Sequence, residues 1–301
     1  MMEVLSSKNN RVGIGQATLP DPFQCGREAA QMAKNQLADG VFNLALVFGS
    51  EDQHFTDYLE GVRLVTGEEH LIGLPLAPLF LSDLPSIQIP MVALLQLPNT
   101  KLSFCSEQLN ESNAVFATTS LMTQIKQARG ITKQQYDFRG FFSFQNMANP
   151  EVDRNIGIDL GLEPWFLNST IPQEYPNPLI CRNRIIKKGI IGFEILSHLP
   201  WGVGQVSIEA FDKKTAIYKE GIKSAIRVAL HQIQGRDPLL VFLSFNIPLM
   251  NEEGIQILAE AKQLIKDTPI IGIPIRNHSC RGINQMTFNQ TSSFVAVAIP
   301  K

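Results

Sequence analysis

The sequence predicts an α/β protein, a layered α/β sandwich built from two pseudo-repeated strand-helix-strand-helix-strand halves. Three observations carry this. Leu46-Val47-Phe48, a helical stretch and Ile72-Gly73-Leu74-Pro75 return near the C-terminus as Leu240-Val241-Phe242, a helical stretch and Ile271-Gly272-Ile273-Pro274. Each copy is preceded by a short strand-like run and an apolar-faced helix, and each is followed by another strand. Helical and strand periodicities in alternation mark α/β layering, and two copies of so long a unit are too few for a solenoid.

In the first half, Val12-Gly13-Ile14-Gly15 reads as a strand. Residues from Arg27 to Leu37 read as a helix with Ala29, Ala30, Ala33 and Leu37 on one face, and Val92 to Leu95 closes the unit. In the second half, Val206 to Ala210 alternates like a strand. Ile222, Ala225, Ile226, Ala229, Leu230 and Ile233 then form one helical stripe, and Val295 to Ala298 closes the unit.

Between the halves the pattern weakens. Gly140-Phe141-Phe142-Ser143-Phe144 predicts a strand. Asn155 to Trp165 predicts a second strand and turn, because Ile156, Ile158, Leu160 and Leu162 alternate with other residues. The prolines from Pro172 to Pro178 read either as a boundary dividing the chain into 1–178 and 179–301 or as a rigid loop inside one compact body.

At 44% hydrophobic and 18% charged, the chain can bury a sizeable core. A formal net charge of -2 gives no electrostatic case for nucleic acid. The cluster Arg182, Arg184, Lys187 and Lys188 reads as a solvated strand edge. No apolar run reaches the roughly 18 residues of a membrane span. The first residues lack a basic start and an apolar core of the signal-peptide kind, so an intracellular, cytoplasmic location is expected. Cys25, Cys105, Cys181 and Cys280 form no CxxC pair and read as free, buried thiols.

Chemistry is sparse. No Walker loop, HExxH or GxSxG is present. Gly13-Ile14-Gly15 lacks the third glycine of a dinucleotide fingerprint and reads as a strand whose glycines admit close backbone approach. No two histidines stand at i, i+4 on a helix, so no metal site is expected. Glu51-Asp52 and Asn251-Glu252-Glu253 stand at equivalent helix starts and read as capping. The polar run Arg276, Asn277, His278, Ser279 and Cys280, just past a strand, is the candidate ligand loop, since ligands of open sheets bind beyond strand ends. Nothing pairs a nucleophile with a base, so no enzyme is expected.

Asp21 to Leu74 resembles the N-terminal part of FIST proteins (F-box and intracellular signal transduction) in its Ala-rich helix, its Leu-Val-Phe strand, a Gly-Val-Arg run and its Ile-Gly strand. Ile186 to Lys301 resembles the FIST C-terminal part. The features there are Gly192-Phe193-Glu194, Leu240 to Ser244, Ile271 to Pro274, and Phe288-Asn289-Gln290-Thr291-Ser292 before a Val/Ala strand. Asn289 and Thr291 join the candidate ligand-binding set on that ground. The family's Tyr-Gly-Glu-Ile-like motif is replaced here by Ile275 to Cys280, and Leu76-Ala77-Pro78-Leu79 stands at the matching N-terminal place.

The resemblance implies a non-enzymatic sensory module that binds a small molecule and signals through a separate protein partner. Two other readings are a protein-interaction module whose pocket has degenerated, and a haem-binding gas sensor with His278 as ligand. Haem is the one cofactor considered, and none is required.

Overall fold

The computed structural model describes residues 11–49, 54–76, 78–81, 85–87, 89–110, 112–130, 135–147, 149–160, 164–171, 178–206, 215–246, 252–265, 267–275, 277–281 and 294–301. In these the chain writes its unit three times, not twice.

Unit 1 runs β1 (Val12–Gln16), α1 (Pro22–Gln36), β2 (Leu44–Phe48), α2 (Phe55–Thr66), β3 (Leu71–Leu74), β4 (Leu79–Leu81), β5 (Pro85–Ile87) and β6 (Met91–Leu95). Unit 2 runs β7 (Thr100–Gln108), α3 (Ala114–Arg129), β8 (Phe138–Gln145), α4 (Pro150–Leu160), β9 (Trp165–Thr170), β10 (Leu179–Cys181), β11 (Arg184–Ile186) and β12 (Gly189–Ser197). Unit 3 runs β13 (Gly202–Val206), α5 (Thr215–Gln232), β14 (Pro238–Asn246), α6 (Glu252–Ile265), β15 (Ile270–Ile275), β16 (Asn277–Arg281) and β17 (Phe294–Pro300). In every unit the first strand pairs antiparallel with the last, the last antiparallel with the second, and the second parallel with the third.

Each unit also lends strands to a neighbour. The β4–β5 hairpin of unit 1 extends the sheet of unit 3 through β15, and β10–β11 of unit 2 extends the sheet of unit 1 through β3. β16 of unit 3 extends the sheet of unit 2 through β9. The exchange is cyclic and interlocks the three sheets. Position 178 therefore falls inside unit 2, because β12 still has to return and pair with β7 and β8.

One face of every sheet turns inward onto a shared apolar core that includes Leu46, Phe48, Phe142, Phe144, Phe193, Phe242 and Ile271. The other faces carry the helices, each over its own smaller cluster. The predicted α/β layering stands on this arrangement.

Close backbone approach sets how the first helix seats. A Cβ on Gly13 or Gly15 would lie 1.8 Å from the carbonyl oxygen of Ala33 or Ala29, and one on Gly202 or Gly204 would lie 1.8 Å from that of Ala229 or Ala225. The Gly13-Ile14-Gly15 run is thus a packing device, as its sequence suggests. It also places β13 at Gly202–Val206 rather than at Val206 to Ala210, of which 207–210 lie outside the described residues.

Unit 2 differs from its sequence reading at α4. The segment expected as a strand from Asn155 is helical to Leu160, because Val152, Ile156 and Leu160 are buried one turn apart while Ile158 is 67% exposed. β8 agrees with the expected strand. The prolines from 172 to 177 and the pair Glu51-Asp52 lie outside the described residues. Cys25, Cys105 and Cys181 are buried free thiols, and His231 sits in the last turn of α5.

Candidate functional site

The ligand loop expected from Arg276 to Cys280 takes another form. Asn277, His278, Ser279 and Cys280 are strand residues of β16. Asn277 is the register partner of Thr170, His278 of Ser169 and Ser279 of Asn168 on β9. Their backbone thus extends the sheet of unit 2 and forms no loop beyond a strand end. The stretch after Pro75 likewise leads into β4, which pairs with β15. Arg276, Asn289 and Thr291 lie outside the described residues.

The centre of the molecule is dry among the described residues. The void between the three sheets holds about 10 Å³ and is lined by Leu46, Phe48, Leu74, Phe142, Phe144, Leu167, Phe193, Phe242 and Ile273. No charge or hydrogen-bonding side chain lines it. No group of three or more His, Cys, Asp and Glu that could hold a metal occurs among the described residues.

A larger cavity opens in unit 1, with a volume of about 370 Å³. Ala17, Thr18, Leu19 and Pro20 form one wall, between the end of β1 and the start of α1. Pro22 and Cys25 come from the first turn of α1, His54 and Tyr58 from the start of α2, and Ile89 and Pro90 from the approach to β6. The described lining is mostly apolar and includes no Asp, Glu, Lys or Arg.

Local rules explain why both helices begin here. Asp21 is extended and its carboxylate accepts from Phe23 N at 3.0 Å, while Pro22 stands where its missing N–H costs nothing. α2 starts after His54, whose side chain makes no capping bond. The two helices touch backbone to backbone: a Cβ on Gly26 would meet Tyr58 O at 1.9 Å, and one on Gly61 would meet Phe23 O at 1.9 Å. That contact fixes Tyr58 against α1.

Tyr58 is 3% exposed and its hydroxyl has no hydrogen-bond partner among the described residues. Burial pushes its pKa well above the ordinary tyrosine value, and the neighbouring Cys25 thiol adds to the rise. At neutral pH the group is therefore a protonated phenol and offers a donor, not a base. Cys25 Sγ is committed to Ala17 O at 3.1 Å. A buried hydroxyl without a partner forfeits about 1–3 kcal/mol. Sequence reasoning passed over this residue because its partners come from separated segments, and no spacing announces them.

A polar network occupies unit 2 instead, between its sheet and its helices. Glu194 is fully buried, accepts from Arg129 Nε at 3.1 Å and Nη2 at 2.7 Å, and meets Arg139 as well. Asp153 accepts from Gln145 Nε2 at 2.9 Å and Asn168 Nδ2 at 2.8 Å, and Ser143 Oγ donates to Asn168 Oδ1. Most of these groups satisfy one another, while Gln145 Oε1 is buried without a partner among the described residues.

No protein-family model matches the chain, and no curated protein matches it by sequence. Among solved structures it is similar to a cyanuric acid hydrolase from A. caulinodans. That likeness covers 97% of this chain and 99% of that chain at 10% identity and a TM-score of 0.47. A likeness at that level transfers no activity. The expected sensory module with a signalling partner, and with it the interaction-module and haem-sensor readings, finds no support in that likeness, which is to a hydrolase. The loop that was to hold the sensed ligand is strand β16. No helix among the described residues is long and apolar enough to cross a membrane.

Proposed function

We propose that the chain takes a small organic molecule into the unit 1 cavity, between the starts of α1 and α2. The observation that carries this reading is the cavity itself, about 370 Å³ with a mostly apolar described lining drawn from β1, α1, α2 and the approach to β6. Leu19, Pro20, Ile89 and Pro90 offer apolar contact to such a molecule. The cavity lies within the volume range of small-molecule sites, roughly 300–1,000 Å³. The reading rests on unit 1 and carries no role in signalling.

The test is a crystallographic fragment soak of the full chain, paired with calorimetry on the hits for wild type and Leu19→Trp, which fills part of the cavity. A fragment seated between Leu19 and Ile89, and weakened binding in the variant, is the expected result. Fragments that avoid the cavity altogether overturn the reading.

A further inference from the structure

Far from that cavity, the outer face of α3 can be buried without leaving a polar group unserved. Phe116 is 74% exposed and Val115 62%, both in the first turn of the helix. Thr119 and Thr123 continue the same stripe at i+3 and i+4 spacing and are exposed too. Their hydroxyls are already committed inside the helix: Thr119 Oγ1 donates to Val115 O at 2.9 Å, and Thr123 Oγ1 donates to Thr119 O at 2.7 Å. Each threonine can therefore give up its water and keep its donor paired.

The equivalent helices differ. α1 exposes Arg27 and Glu28, and α5 exposes Glu220 and Arg227. No Asp, Glu, Lys or Arg occurs from Ala114 to Ile125. Single exposed apolar side chains are ordinary on a protein surface, whereas a contiguous uncharged stripe marks an interaction face. We propose that two copies of the chain associate through this face, their α3 helices packed antiparallel across a two-fold axis at Thr119, as a weak and reversible dimer.

A second copy fits because the stripe is complementary to itself. Phe116 is bulky, and Thr123, two turns further on, is small. The two-fold axis lays the Phe116 ring of each copy over Thr123 of the other and sets no like charges face to face. Ile158, 67% exposed on α4, extends the face at that end, since its neighbour Asp159 reaches Lys126 of α3 at 3.7 Å. One helix crossing with this flank stands at the low end of interface sizes, which makes the association weak. A lipid surface suits the stripe less well, because amphipathic membrane helices set free cations beside their apolar face, and Lys126 is paired with Asp159.

Sedimentation velocity of the full chain from low to high micromolar concentration reads the association directly. The expected result is a weight-average sedimentation coefficient that rises with concentration and levels off at the dimer value. Phe116→Asp should weaken the dimer by more than about tenfold, as loss of a central aromatic anchor does. It should leave the melting temperature of the dilute chain unchanged, because the ring is exposed. Thr119→Cys, at the axis, should give a disulfide-linked dimer on mild oxidation. Met32→Cys, at an exposed position of α1, should not. A chain that stays monomeric at every concentration overturns the proposal, whether or not it binds lipid vesicles. So does a dimer that Phe116→Asp leaves intact, or one that cross-links through Met32→Cys and not through Thr119→Cys. Growth without a plateau overturns the closed two-fold arrangement.

Discussion

Gln36 holds β1 to α1 by both ends of its amide: Ile14 N donates to Oε1 at 3.0 Å, and Nε2 donates to Ile14 O at 2.6 Å. The whole bracket recurs in unit 2 and half of it in unit 3. Gln124 of α3 takes Ser106 N at 3.2 Å and gives to Ser106 O at 3.3 Å, and Gln232 of α5 takes Val203 N at 2.9 Å. In each unit the first strand exposes one edge, because it pairs only with the last strand of that unit. The glutamine satisfies an edge amide that no further strand reaches. Replacing Gln36 by Leu removes two hydrogen bonds of about 1 kcal/mol each, so a stability loss of roughly 1–2 kcal/mol is expected in urea titration. A loss near zero would mean that water serves the edge equally well.

The glycines beneath these brackets set a sharper constraint. In Gly204→Ala the new methyl would lie 1.8 Å from Ala225 O, which is backbone and cannot rotate away. α5 must then lift from β13, at the roughly 1–3 kcal/mol or more that overpacking costs. Gly15→Ala should behave alike against Ala29 O. Thermal denaturation of both variants checks this, and unchanged midpoints would contradict the close approach.

Units 1 and 3 were legible in the sequence because their sheets are apolar on both faces and their helices carry one apolar stripe, although the Gly202-x-Gly204 run that marks β13 was passed over for Val206 to Ala210. Unit 2 hid the same topology. The helix-facing side of its sheet carries Arg139, Ser143, Gln145, Glu194 and Asn168, so its strands lose the continuous apolar character of buried β-structure. Burial there is met in large part by hydrogen bonds and ion pairs that only the folded chain brings together. α4 misled for a related reason: Ile158 is exposed, yet it completes a false alternation with Ile156 and Leu160. The cavity of unit 1 was not legible, since Thr18, Tyr58 and Ile89 meet through topology and share no motif.

Glu194 tests the worth of that buried pairing. It is fully buried between Arg129 and Arg139 on the helix-facing side of its sheet. Glu194→Ala leaves the bidentate Arg129 guanidinium without its carboxylate in a dry place. Breaking one partner out of a buried pair costs about 3–5 kcal/mol, and urea unfolding should show a loss of that size. A loss below 1 kcal/mol would indicate that the arginines reach other acceptors.

Asp153 gives the pH dependence its sign. Burial raises its folded pKa above the ordinary value, and the hydrogen bonds from Asn168 and Gln145 oppose that rise only in part. Between the unfolded and folded values the unfolded chain binds fewer protons than the native one, so stability falls as pH rises through that window. Its contribution is fully present below the unfolded value, roughly pH 4, and lost above the folded one. Asp153→Asn keeps an acceptor for both amides and removes the charge. Its stability relative to wild type should therefore improve from pH 3 to pH 7, as read by urea titration at each pH. A difference that stays flat with pH would show that Asp153 titrates normally.

Tyr58 sets a stability cost in one side chain. Its hydroxyl is buried with no partner among the described residues, so the folded state carries a desolvated polar group that water serves in the unfolded chain. Tyr58→Phe removes that group and keeps the ring against α1. The variant should be more stable than wild type by about 1 kcal/mol, within the 1–3 kcal/mol that an unsatisfied hydroxyl forfeits. The ring still fills its place beside Cys25, so no cavity opens to offset the gain. Melting temperatures and urea titration of the two proteins read the difference. A variant less stable than wild type would show that the hydroxyl already finds a partner in solution.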